Sequence, residues 1–375
     1  MIVGGGMTGA LVSLMFAAAG VPVVLLESGS VGCGSTLASS ALLLQEPDRG
    51  LAHLTSRYGR AASRRIWELG RDGVRDLIRT LRRYRINCDL VERDAIYYAT
   101  NAPAVQRLRR EFRLRSAEGF ECDWLTPDAL RTVTGIAARG AIRTRGNAQF
   151  DPYKACQGLI RAAASAGAQI YERSAVTRIR HGHDRVYVQT RSGRIESSHV
   201  IIATGYATPQ FRPLAGRFRM YRTYVLATPP LNEDERREVG LGNVMIWDTE
   251  RPYHYARWTS AHRLLLGGAD RLLRRGETRS RVFAAATREL RADFEHLLPA
   301  LSDIDIESAW EGLFAMTPDS LPYVGPHRKY PRHLFALGYG GNGMTFGSLA
   351  ARLLFEHWRG DTSPDHQLFR FGRVG

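Results

Sequence analysis

The sequence predicts an α/β protein in which a discontinuous Rossmann-like nucleotide-binding domain carries an inserted, mainly antiparallel β domain. Three observations carry this. The chain opens on strand, glycine turn, helix and strand; it returns to a strand running into glycine twice more; and the stretch from Arg222 to Asp270 reads mainly as strands. With 375 residues, 44% of them hydrophobic, the chain is too long for one compact core, so two domains are expected.

Ile2-Val3 are β-formers leading into "GGGMTG". Ala10–Ala19 is a run of small and apolar residues, read as a helix that Gly20 closes in a left-handed cap. "VPVVLLE" follows as a continuous apolar run ending in an acid, the pattern of a strand buried on both faces of a parallel sheet. The glycines fall as Gly4-x-Gly6-x-x-Gly9, and Glu27 lies eighteen residues beyond Gly9. In such a unit the first glycine makes the tight turn and the second lets backbone approach a pyrophosphate. The third lets helix and strand pack closely, and an acid about 20 residues on accepts ribose hydroxyls. The first strand has at most three residues before Gly4, so it is expected to be short or to extend upstream of Met1.

Arginine-rich stretches at 56–84 and 104–118 read as helices, and "RLRREFRLR" at 107–115 as one solvated helix face. Asp151 is a natural N-cap with Pro152 in the first helical position, starting a helix that stops at Gly167. "RVYVQTRSGRIESSHVIIATGY" gives an alternating strand, a Ser192-Gly193 turn and a second strand ending at Ala203-Thr204-Gly205. The tail, "LFALGYGGNGMTFGSLAARLLFEHW", reads as strand, glycine-rich loop and helix.

The formal charge is +15 and nearly all arginine, Lys154 and Lys329 being the two lysines. These arginines are scattered, with no interleaved aromatic platform, which argues against a nucleic-acid partner. Cys33, Cys88, Cys122 and Cys156 form no C-x-x-C and pair with no nearby histidine, so neither a disulfide framework nor a metal site is expected, and a reducing, cytoplasmic setting fits. His181 and His183 sit at a polar turn and read as surface residues. Residues 1–26 carry no charged side chain, but the glycines and Pro22 break the apolar run, so no membrane span is expected.

Four segments in this order resemble the D-amino-acid oxidase-like group of FAD-dependent oxidoreductases, which includes glycine oxidase and sarcosine oxidase. They are "IVGGGMTG…LLE", "VGCGSTLASSALL", "VIIATGY" and "TPDSLPYVG…LFALGYGGNGMT", followed by "LFRFGR" at 368–373. The resemblance implies FAD, an inserted substrate domain, and hydride transfer from an amine or amino acid to flavin N5, giving an imine that hydrolyses. It places the FAD domain in residues 1–84, 146–215 and 309–375, and the substrate domain in 85–145 and 216–308. Gly4, Gly6 and Gly9 would hold the diphosphate and Glu27 the adenosine ribose. Ser35 and Thr36 would sit near diphosphate or flavin, Val176 by the adenine and Gly205 by the dinucleotide. Gly340, Gly341, Gly343 and Met344 would pass beneath the flavin's pyrimidine end.

Departures from that pattern are informative. There is no cysteine after Cys156, and Leu37-Ala38 stand where a flavin-linking histidine would, so the FAD is expected to be non-covalent. The family's two carboxylate-binding arginines are replaced by Gly341 and Phe314, which makes a simple α-amino acid held in that manner doubtful. Candidates on the substrate side are Tyr255, Arg257 and Arg222; Tyr253, Tyr255 and Arg257 share one strand face, with His254 pointing away. Trp310 and Phe314 read as core. The acceptor for reduced flavin is oxygen or a quinone-type carrier. Two other readings stay open at this point: flavin-dependent modification of a tRNA side chain, and a non-catalytic subunit of a larger dehydrogenase.

Overall fold

In a computed structural model, which describes residues 1–373, the strand Ile2–Val3 lies near the centre of a six-stranded sheet. It pairs in parallel with Val24–Leu26 on one side and with Val200–Gly205 on the other. Gln169–Tyr171 extends the sheet at one edge, and Tyr330–Leu337 followed by antiparallel Tyr323–His327 at the other. Alternation along the strands decides the layers. Ile2, Leu25 and Ile201 face the helices Met7–Ala18, Arg60–Arg83, Pro152–Ser165 and Gly343–Arg359. Leu26, Val200 and Ile202 face a three-stranded antiparallel sheet of Arg178–His181, Val186–Gln189 and Arg194–Ser197.

The expected helix signals act as chemistry requires. Asp151 accepts a hydrogen bond from Lys154 N at 2.9 Å, capping Pro152–Ser165. Gly20 takes φ 77° just past the end of Met7–Ala18. The "RIESSHVIIATG" stretch divides where a single strand was expected: Arg194–Ser197 joins the small sheet and Val200–Gly205 the large one.

A nine-stranded sheet, antiparallel but for one parallel pair, forms the second layer system. Its main path runs Ser308–Met316, Arg219–Ala227, Leu264–Leu272, Tyr255–Trp258, Met245–Asp248, Val91–Tyr98, Ala141–Gln149 and Leu42–Leu43, with Asp123–Leu125 pairing beside it. The strand Ala141–Gln149 runs without a break across position 145, where one segment boundary was expected. One face buries Tyr224, Leu226, Ile246 and Leu266 against Leu290 and Phe294 of the helix Arg279–Leu297. The helix Glu233–Val239 interrupts the strand-rich region; Asn232 and Glu235 form its capping box and Gly240 its left-handed stop.

Two ion-pair networks tie distant segments together. Arg373 grips Asp319 at 2.7 Å and 3.0 Å and lies over the Tyr323 ring, docking the tail "LFRFGR" onto "TPDSLPYVG". Arg115 departs from the expected solvated helix face. Its side chain is 2% exposed and bonds Glu46 at 2.7 Å and Glu111 at 2.9 Å. Glu111 in turn accepts from the first amides of the helix Leu51–Tyr58.

Candidate active site

The amino-terminal and carboxy-terminal glycine turns open onto the same cavity of about 480 Å³ between the two large sheets. Gly4 (φ 108°) turns sharply out of the first strand; a Cβ there would strike the Ala203 carbonyl oxygen at 2.6 Å. Gly9 does not line the cavity. It lets the first helix lie against the turn, where an added Cβ would sit 1.9 Å from the Gly4 oxygen. Neither Met7–Ala18 nor Gly343–Arg359 is capped by its own N-cap side chain. Both helix starts line the cavity, and the positive end of a helix favours an anionic ligand, although Met7 N itself is taken by Thr36.

Among the other expected cofactor residues, Gly6, Glu27, Ser35, Thr36, Val176, Gly205, Gly340, Gly341, Gly343 and Met344 line this cavity too. The Glu27 carboxylate is held by Gly5 N at 2.7 Å and Gly29 N at 2.8 Å. Thr36 Oγ1 accepts from Met7 N at 3.0 Å, while Ser35 donates its hydroxyl to Leu313 O at 2.6 Å. The Val176 carbonyl accepts from Gln210. The far loop is tied down by acids: Gly341 N donates to Asp48 at 2.7 Å, and Asn342 Nδ2 donates to Asp48 at 3.0 Å and to Glu46 O at 2.9 Å.

The opposite wall is a row of side chains across the nine-stranded sheet. Trp247 lies directly across from Tyr255, and Tyr255 across from Gly267, where any side chain would collide with the tyrosine ring. Further along the strand of Gly267 a bulge sets Ala269 and Asp270 opposite Thr223 alone. Gly268 (φ 150°) and Ala269 (φ 51°) absorb the kink, and Asp270 lines the cavity. Tyr253 stands beside Tyr255 with ring centroids 6.0 Å apart, and beside Trp247 at 6.1 Å. Burial pushes the Asp270 carboxyl up to about 6, the Asp48 charge adding to this while the Thr223 hydroxyl opposes it. Burial likewise pushes Asp48 up to about 6 against its Gly341 hydrogen bond, and Tyr255 up to about 12.

A profile described as FAD dependent oxidoreductase (DAO) matches residues 1–357. The chain belongs to this family. It is 29% identical to gamma-glutamylputrescine oxidoreductase of Escherichia coli K12 over 372 residues, covering 96% of this chain and 83% of that one. It is 26% identical to glycine oxidase of Geobacillus kaustophilus over 360 residues, covering 94% and 90%. The crystal structure of glycine oxidase from Geobacillus kaustophilus superposes with a TM-score of 0.84 at 24% identity, over 100% of this chain and 98% of that one. L-proline dehydrogenase from P. horikoshii gives 0.82 at 18%, over 98% and 96%. At these identities the superpositions speak for the fold.

Within this FAD-dependent family the cradle fits the cofactor: glycine turns, two helix starts and a ribose-range acid converge on one space. The substrate candidates divide. Tyr255 lines the cavity. Arg257 shares its strand face but lies beyond the cavity, its guanidinium buried and donating to the carbonyls of Ser40, Trp258 and Phe150. Arg222 also lies outside, 3.5 Å from Glu311. A strand pattern gives the face of an arginine but not what its long stem reaches. Phe314, read as core, lines the cavity and stacks on Tyr221. Asp48, Trp247 and Asp270 were missed. "GGAD" carried a signal, since paired glycines inside a strand mark a bulge; "EPDRG" carried none. His181 and His183 are exposed, and among the described residues no cluster could hold a metal ion.

Proposed function

We propose that this chain oxidises the carbon–nitrogen bond of an amine or amino acid with non-covalently bound FAD. The observation that carries the reading is the single cavity shared by Gly4, Gly6, Glu27, Gly340, Gly341, Gly343 and Met344. Bound FAD would supply a hydride acceptor for the carbon bearing nitrogen of the neutral amine; with loss of one nitrogen proton to solvent this leaves an imine, which water converts to a carbonyl compound and free ammonia or amine.

In this reading Gly4, Gly6 and the helix start at Met7 hold the diphosphate, with Gly9 keeping that helix close. Glu27 receives the ribose hydroxyls, and Ser35, Thr36, Val176 and Gly205 line the dinucleotide's path. The start of Gly343–Arg359, at Gly343 and Met344, would offer N–H groups to the end of the flavin that becomes anionic on reduction, while Gly340 and Gly341, whose own N–H groups are taken by Ala315 O and Asp48, would pass beneath it. Trp247, Tyr253, Tyr255 and Phe314 exclude water and orient the substrate. Arg257 and Arg222 support the walls from behind. Among the described residues no cysteine or histidine lines the cavity, which supports a non-covalent flavin. The five-segment division into FAD and substrate domains belongs to this reading, as do a cytoplasmic setting and reoxidation by oxygen or a quinone-type acceptor. Among the described residues no helix is long and apolar enough to cross a membrane.

The test is anaerobic. Protein reconstituted with FAD should bleach when given substrates from a panel of amines and amino acids, and hydrogen peroxide on readmitting air would identify oxygen as acceptor. A protein that rejects FAD, or a flavin that no amine or amino acid reduces, would remove the proposal.

A further inference from the structure

Resting on that reading, we infer that the substrate is received as an alkylammonium cation with no carboxylate on its nitrogen-bearing carbon, its charge facing Asp270 among Trp247, Tyr253 and Tyr255. Four observations converge on this. First, among the described residues no lysine, arginine or histidine lines the cavity, while Asp48 and Asp270 line it near Tyr253; of the other two lining acids, Glu27 belongs to the ribose end and Glu46 is paired with Arg115. A substrate carboxylate would find no positive side chain there and would face buried acids.

Second, the position before Asn342 has no room for a cation. A Cβ at Gly341 would lie 2.2 Å from the Tyr253 hydroxyl and 2.9 Å from Asp48 Oδ1. The tyrosine fills that space from the opposite sheet. Arg251 lies over the Tyr253 ring at 5.7 Å and, with Arg49, is near enough to lower the Asp48 pKa; neither arginine lines the cavity.

Third, Asp270 is built to point inward. The bulge at Ala269–Asp270 re-aims it, and its Oδ1 is buried with no hydrogen-bond partner. An unpaired buried carboxylate oxygen is costly, and an ammonium group would satisfy it. Fourth, Trp247, Tyr253 and Tyr255 present three rings around the same space, held at 74° and 53° to one another. Ring faces attract alkylammonium groups and offer nothing to a carboxylate. Burial raises the Asp270 carboxyl to about 6, with Thr223, His254 and Arg271 opposing and Asp48 adding; above that value it is ionised and ready for a cation.

The experiment uses the FAD-reconstituted chain at pH 8 and two probes of one shape, tert-butylammonium and 2-methylalanine. Neither carries hydrogen on its nitrogen-bearing carbon, so binding is read without turnover, by calorimetry and by perturbation of the flavin spectrum. Tert-butylammonium should bind at least about tenfold more tightly. Asp270→Asn should lose at least about tenfold in that affinity while retaining FAD. Trp247→Leu, two strands away across Tyr255–Trp258, should weaken the cation in the same direction and serves if Asp270→Asn fails to fold. Equal or tighter binding of 2-methylalanine, or cation affinity unchanged in the variant that folds, overturns the inference. If glycine, sarcosine or D-alanine then bleaches the flavin, the proposed function survives without it. If the protein takes up no FAD, or no amine or amino acid bleaches it, the proposed function itself has failed.

Discussion

Replacing Gly9 by alanine tests the nucleotide cradle without touching the ligand. The added Cβ would lie 1.9 Å from the Gly4 carbonyl oxygen. An ordinary carbon–oxygen contact needs about 3.3 Å. The first helix must therefore retreat by about 1.4 Å, carrying its N–H groups away from the turn, or Gly4 must leave its φ of 108°. Overpacking of this kind costs about 1–3 kcal/mol. Taken out of FAD binding, that is about a 5- to 150-fold weaker Kd. The assay is titration of apoprotein into FAD, followed by flavin fluorescence, with thermal unfolding run beside it. Gly20→Ala is the control: it sits at positive φ, as Gly9 does not, but nothing lies within 4 Å of its Cβ, so it should lower stability and leave FAD affinity unchanged. A Gly9→Ala protein that binds FAD within about twofold of the parent would refute the packing argument.

Arg115→Met should cost about 3–5 kcal/mol, because it strands Glu46 and Glu111 in the interior; urea midpoints measure this, and adding Glu46→Gln and Glu111→Gln should recover part of the loss. His254 supplies a pH test. Burial alone would lower its pKa, but the hydrogen bond and charge of Asp248, with Asp293 on the other ring nitrogen, raise it above the ordinary 6.5. Its stabilisation is therefore full below pH 6.5 and is lost as pH rises through the folded value. The Tm gap between parent and His254→Gln should shrink above that pH, and a gap that widens would contradict the pairing.

What could be read from sequence follows the range of each interaction. The opening βαβ unit rests on local glycine spacing and continuous apolar runs, and the Asp151-Pro152 helix start on a cap that bonds three residues ahead. These signals are short-range and hence legible. The tail turn "GYGGNGMT" was legible as a loop before a helix, but its meeting with the first turn depends on sheet order. Arg257 shows the limit: alternation fixed its face, while Ser40 and Phe150, which bind its guanidinium, are more than a hundred residues away. Arg115 shows it again, since nothing within "RLRREFRLR" says that Glu46 waits across the core. Asp270 was obscured because a bulge shifts the period on which strand alternation relies. The helix Glu233–Val239 was legible in hindsight from Asn232, Glu235 and Gly240, and was outweighed by the strands around it.

Amide hydrogen exchange of the apoprotein, before and after FAD is added, measures whether the two ends of the chain share one ligand. FAD should slow exchange in residues 4–9 and 340–346 together, at the same FAD concentration, with little change in the far helix Arg279–Leu297. Protection of one turn while the other exchanges as before would break the account at its root.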